Sequence, residues 1–126
     1  MSEPEAFVET HPLTPVGPAA ALFIAGVSAF EITPFEPPVQ RVTVVGVNLP
    51  PPDTFGPFYN AYVATLLADG DQVGQFVLQP TPDQSVWGGT VLLTFGGTLF
   101  PIQVAVRPQQ DNLRIGPVIL EGPVFS

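Results

Sequence analysis

No cysteine and no lysine occur in this 126-residue chain, and there is one histidine, one tryptophan and one methionine. Without cysteine there can be no disulfide, no thiolate nucleophile and no cysteine-ligated metal, and the chain is indifferent to the redox state of its compartment. Without lysine there is no Schiff-base chemistry, no phosphate-loop lysine and no lysine isopeptide crosslink. Charge of either sign is scarce. Charged residues make up 11 % of the chain, against about 25 % in an average soluble domain. Charge missing overall is charge missing from the surface, because a core would not have held it. Such a surface suits a protein largely covered by neighbouring subunits.

The charge that remains is one-sided. Eleven acids face three arginines, Arg41, Arg107 and Arg114, for a net charge of −8 and a pI near 4.1. Three scattered arginines build neither a phosphate-binding patch nor a polybasic membrane anchor, so nucleic acid and membrane are excluded as expected partners. The opening MSEPEAFVE is acidic where an export signal would be basic. The longest apolar run, Ala19 to Phe30, covers about 12 residues, where a membrane span needs roughly 20. The expectation is a protein made in the cytoplasm with no export or membrane signal of its own, residing in a virion or an extracellular assembly.

What is abundant is proline, glycine and β-forming residues: 17 Pro, 12 Gly and 45 % hydrophobic content. Pro4, Pro12, Pro15 and Pro18 crowd residues 1–18, which forbids helix and disfavours ladder pairing. This segment is expected to be an extended arm, docking Phe7, Val8 and Leu13 on a neighbouring subunit or trailing as a tail. Residues 19–126 are expected to form a single β domain. Ala19–Thr33 is expected to be a strand, with a short helix as the alternative because its start is alanine-rich. Val39–Leu49 is valine-rich and reads as a strand, stopped by Pro50, Pro51 and Pro52. Ala61–Ala68 and Gln72–Gln79 flank Asp69-Gly70-Asp71 as a hairpin, with a three-residue loop pairing Leu66 with Gly74, or with a two-residue loop at Asp69-Gly70. Leu113–Leu120 is the last strand, with Pro117 inside it. The sum is an all-β fold, a compact antiparallel sandwich or small jelly-roll-like barrel of about six to eight strands.

Trp87–Arg107 carries the strongest local signal. Gly96-Gly97 lies between two runs of β-formers, a two-residue hairpin pattern. Pairing across it puts Trp87, Val91, Leu93, Phe95, Phe100, Ile102, Val104 and Val106 on one apolar side, which must face the core. Gly89 falls where a side chain would crowd that core. Leu92, Leu99, Pro101 and Arg107 fall on the other side, a candidate subunit contact. Pro101 would interrupt pairing beyond the hairpin, which makes Thr98–Arg107 an expected edge strand.

No catalytic constellation emerges. His11 lies in the arm, and none of Ser2, Ser28, Ser85 and Ser126 sits in a GxSxG elbow. One histidine and no cysteine give no transition-metal set. Asp69-Gly70-Asp71 is only a fragment of a calcium loop. The turn aspartates serve turn hydrogen bonding. No catalytic, cofactor or metal residues are therefore expected, and no cofactor. The reading is a non-enzymatic structural subunit, self-assembling or decorating a larger capsid or filament. Its expected contact residues are Phe7, Val8, Leu13, Leu92, Leu99, Pro101 and Arg107, and removing residues 1–18 is expected to abolish assembly without harming the fold. The alternative is a small carbohydrate- or peptide-binding module with Trp87, Tyr59 and Tyr62 as a platform.

Overall fold

The fold was taken from a computed structural model, which describes residues 7–32, 40–93, 101–111 and 114–125. The strands are β1 (Phe7–Pro15), β2 (Ala25–Ile32), β3 (Gln40–Val47), β4 (Ala61–Ala68), β5 (Asp71–Val77), β6 (Gln79–Pro80), β7 (Val86–Leu93), β8 (Ile102–Gln110), β9 (Arg114–Ile115) and β10 (Leu120–Phe125). Single 3₁₀ turns follow β1 at Gly17–Ala19 and β3 at Pro52–Phe55. The fold is all-β, as expected, but the described residues form ten strands rather than six to eight. The excess comes from strands of two residues, β6 and β9, and from the N-terminal segment.

All pairings are antiparallel, in the order β5-β4-β8-β10-β1-β2-β3-β7-β6, with β9 added to β8. The two ends of this order meet. The Phe76 ring on β5 packs on Gly89 of β7, and Leu93 of β7 comes against Gly74 of β5. The sheet is therefore a nearly closed barrel, and its interior is the hydrophobic core. Phe30, Val42, Val44, Tyr62, Leu66, Trp87, Ile102, Val104, Val106, Leu120 and Val124 are all buried there. Closure suits a small β protein because it leaves few strand edges unpaired.

Residues 7–15, expected to belong to an arm, run inside the sheet as β1. Phe7 to Leu13 pair with Ile32 to Gly26 of β2, and Thr14 and Pro15 pair with Glu121 and Leu120 of β10. β1 is thus the strand that joins the two halves of the barrel. Its prolines are tolerated because each has one ladder partner among the described residues, Pro12 on β2 and Pro15 on β10. A proline can then turn its missing N–H to the unladdered side.

The Trp87–Arg107 hairpin is corrected. β7 pairs with β3 and β6, and β8 pairs with β4, β10 and β9. Among the described residues the two strands do not pair with each other. β8 is an interior strand, so the expected edge at Thr98–Arg107 is wrong from Ile102 onward. The proposed turn at Gly96-Gly97, together with Phe95, Thr98, Leu99 and Phe100, lies outside the described residues. The assignment of sides survives, since Trp87, Leu93, Ile102, Val104 and Val106 are buried.

The β4–β5 hairpin combines both expected loops. Val63 to Leu66 pair with Val77 to Gly74 in the three-residue-loop register, then a bulge shifts the register so that Ala68 faces Asp71. The turn is therefore Asp69-Gly70, with both residues at positive φ (54° and 85°), as a type I′ turn requires. The first expected strand begins at Ala25 rather than Ala19. The last one also moves: Pro117 interrupts Leu113–Leu120, and the longer strand is β10, which contains Gly122 and Pro123.

Candidate interaction surface

On the outside of the barrel, β1, β2, β3 and β7 form one four-strand face. Its rows follow from the register. Val8, Glu31, Arg41 and Leu92 are successive cross-strand neighbours, as are Thr10, Ala29, Thr43 and Thr90, and then Pro12, Val27, Val45 and Gly88. The burial of β3 alternates strictly, with Val42 and Val44 inside and Arg41 and Thr43 outside. The outward set is apolar or hydroxylic apart from Glu31 and Arg41.

The ends of the first row are the most open apolar residues on it: Val8 and Leu92 are each 62 % exposed. Between them Arg41 donates from Nη2 to Glu31 Oε2 at 2.8 Å. That hydrogen bond, with the attraction of the carboxylate, raises the pKa of the Arg41 guanidinium. In the next row Thr90 Oγ1 donates to the Val42 carbonyl at 2.9 Å and lies 3.0 Å from Thr43 Oγ1. Val27 and Val47 are also exposed. Among the described residues the face is electrically neutral, in a chain of net charge −8. Asp53, Asp69, Asp71, Asp83 and Asp111 lie in turns or at strand ends instead.

Two further features lie at opposite ends of the barrel. At one, Phe23 projects with 94 % exposure, its carbonyl held by Asn48 Nδ2 at 2.5 Å. At the other, a cleft of about 800 Å³ is lined by Leu67, Ala68, Val73, Pro101 and Gln103, with Asp69, Gly70 and Asp71 of the β4–β5 turn.

The residues expected to make contact are thus divided. Val8 and Leu92 come together on one row. Leu13 is buried in the core, Pro101 lines the cleft, and Leu99 is outside the described residues. For Phe7 the backbone position on β1, paired with Ile32, is what is described. Arg107 is half-buried on β8, with its Nε buried and without a hydrogen-bond partner among the described residues. Val27, Val47 and Phe23 are exposed apolar residues outside that expected set. The charges gave the available signal: Val27 and Ala29 share parity with Glu31, and Val45 and Val47 share parity with Arg41, and a charged residue marks the solvent side.

Two of the three residues of the expected aromatic platform do not reach the surface, and the third, Tyr59, is half-buried. Trp87 and Tyr62 are buried, packed edge to face with centroids 5.0 Å apart. Trp87 Nε1 donates to the Gln84 carbonyl and the Tyr62 hydroxyl to the Pro50 carbonyl. Among the described residues no group of three or more His, Cys, Asp or Glu is placed to hold a metal ion. No helix there is long and apolar enough to cross a membrane.

Fold and surface together define a small, nearly closed antiparallel β-barrel with a neutral, partly apolar outer face. The chain belongs to the family described as SPbeta prophage-derived uncharacterized protein YoqH, whose profile matches residues 5–126. No curated protein and no solved structure matches it significantly.

Proposed function

We propose that this chain is a non-enzymatic structural subunit that works by protein–protein contact, self-assembling or decorating a larger virion or filament. The observation that carries the reading is the outer face of β1, β2, β3 and β7. Val8 and Leu92 stand exposed on a surface whose two charges cancel. Exposed apolar residues grouped on a neutral patch mark contact sites more often than solvent-facing surface. The prophage-derived family fits a phage structural role. The strong negative charge elsewhere speaks against nucleic acid as the partner.

The test is the native mass of the purified chain by light scattering, from micromolar to millimolar concentration, beside the Leu92→Asp variant. Leu92 is exposed, so the substitution should leave the fold intact. Concentration-dependent association that Leu92→Asp abolishes supports the reading. A chain that stays monomeric throughout counts against it. The cleft at the β4–β5 turn favours a second reading, a binding module for an apolar peptide, which chemical-shift changes confined to Leu67, Val73 and Gln103 on peptide addition would support.

A further inference from the structure

We infer that the face of β1, β2, β3 and β7 pairs with the same face of a second copy. The twofold axis runs along the strands between β2 and β3. This rests on the reading of the chain as an assembling subunit and names its partner and geometry.

The argument begins with charge. Two chains of net charge −8 repel each other, and they can approach closely only where local charge cancels. Among the described residues the four-strand face meets that condition, because its charges there are Glu31 and Arg41. An isologous contact also requires a patch complementary to itself. The row Val8, Glu31, Arg41, Leu92 has this property under one specific rotation. Turning the row about an axis between β2 and β3 reverses its order. Glu31 of one copy then faces Arg41 of the other, and Val8 faces Leu92. Opposite charges meet and the two exposed apolar ends cover each other. The next row behaves likewise, setting Ala29 opposite Thr43. Rotation about an axis across the strands would instead set the charged row against the Ala25–Val47 end of the face, leaving Glu31 and Arg41 opposite apolar side chains.

Four strands at ~4.8 Å spacing, about eight residues long at about 3.3 Å per residue, give a patch of roughly 19 Å by 26 Å. Over two copies this buries on the order of 1,000 Å², the lower end for a specific interface. Reversible, concentration-dependent pairing is expected. The exposed ion pairs contribute register more than affinity.

The chain has no cysteine, so engineered thiols report cleanly. Val8→Cys and Leu92→Cys chains are mixed and oxidised, and the products are read by intact mass. The expected result is a mixed disulfide in several-fold excess over either homodisulfide, because the twofold sets position 8 against position 92. In parallel, Arg41→Glu and Glu31→Arg chains are examined by light scattering. Each alone presents a like-charged row and should stay monomeric. Their equimolar mixture should associate as well as the native chain does. If the native chain associates but homodisulfides dominate, or mixing restores nothing, the twofold is overturned and the assembly reading stands. A native chain that remains monomeric overturns both.

Discussion

Phe76 of β5 lies against Gly89 of β7, so closely that a Cβ on the glycine would sit 2.9 Å from the ring's Cδ2. This is a contact between the two ends of the sheet order, where the barrel comes near to closing. The Phe76 ring fills the space that a side chain at position 89 would take, with Leu78 beside it. Gly89→Ala should therefore force the seam apart and cost about 1–3 kcal/mol by overpacking. A shift in the urea midpoint at unchanged slope checks it. A neutral result would mean that the Phe76 ring gives way freely.

A contrasting loss is expected at Gly70. Nothing lies within 4 Å of a Cβ placed there, but its φ is +85°. Gly70→Ala meets no steric neighbour, only the left-handed backbone, and should cost about 1–2 kcal/mol. The bulge beside the turn should persist, because Leu66 stays paired with Gly74. Amide exchange at Val63 to Leu66 checks this: protection should fall in step with global stability rather than locally.

Tyr62 and Trp87 make the pH behaviour of the core predictable. Burial, then the nearby Asp53 carboxylate, raises the pKa of the Tyr62 hydroxyl well above its ordinary value of 10. The neutral form is thus favoured in the folded state. Above pH 10 the unfolded chain releases this proton and the folded one keeps it, so stability falls as pH rises. Below pH 10 the contribution is complete. Tyr62→Phe should flatten that alkaline decline while costing about 1 kcal/mol at neutral pH for the bond to the Pro50 carbonyl. The single tryptophan reports both, by fluorescence-detected urea titrations at neutral and alkaline pH.

The division of strands into inner and outer sides was legible because side-chain alternation is local. Trp87, Leu93, Ile102, Val104 and Val106 fall on the core side whichever strand lies next to them. Pairing was not legible. The Gly96-Gly97 pattern suggests a hairpin, yet β7 and β8 each find partners distant in sequence, and that choice depends on the whole barrel. The proposed contact surface was half legible for the same reason. Val8 and Leu92 could be singled out one at a time, but their meeting on one row depends on the order β1-β2-β3-β7. The prolines misled most. Pro12 and Pro15 argue against a strand only if both edges must be paired, and for most of its length β1 has one ladder partner among the described residues.

That last point reverses an expectation about the N-terminus. Were residues 1–18 a dispensable arm, their removal would leave the β signal in far-UV circular dichroism intact. With β1 joining β2 to β10, a chain beginning at residue 16 loses the strand between the two halves of the barrel. It also loses Leu13, which is buried against Gly26 and Gly122. The truncated chain should lose cooperative unfolding and most of its β signal. Because truncation is drastic, Leu13→Ala provides the graded version: removing a fully packed leucine should cost about 2–5 kcal/mol. A truncated chain with native circular dichroism and an unchanged melting transition would show that β1 is an accessory to the barrel rather than part of its wall.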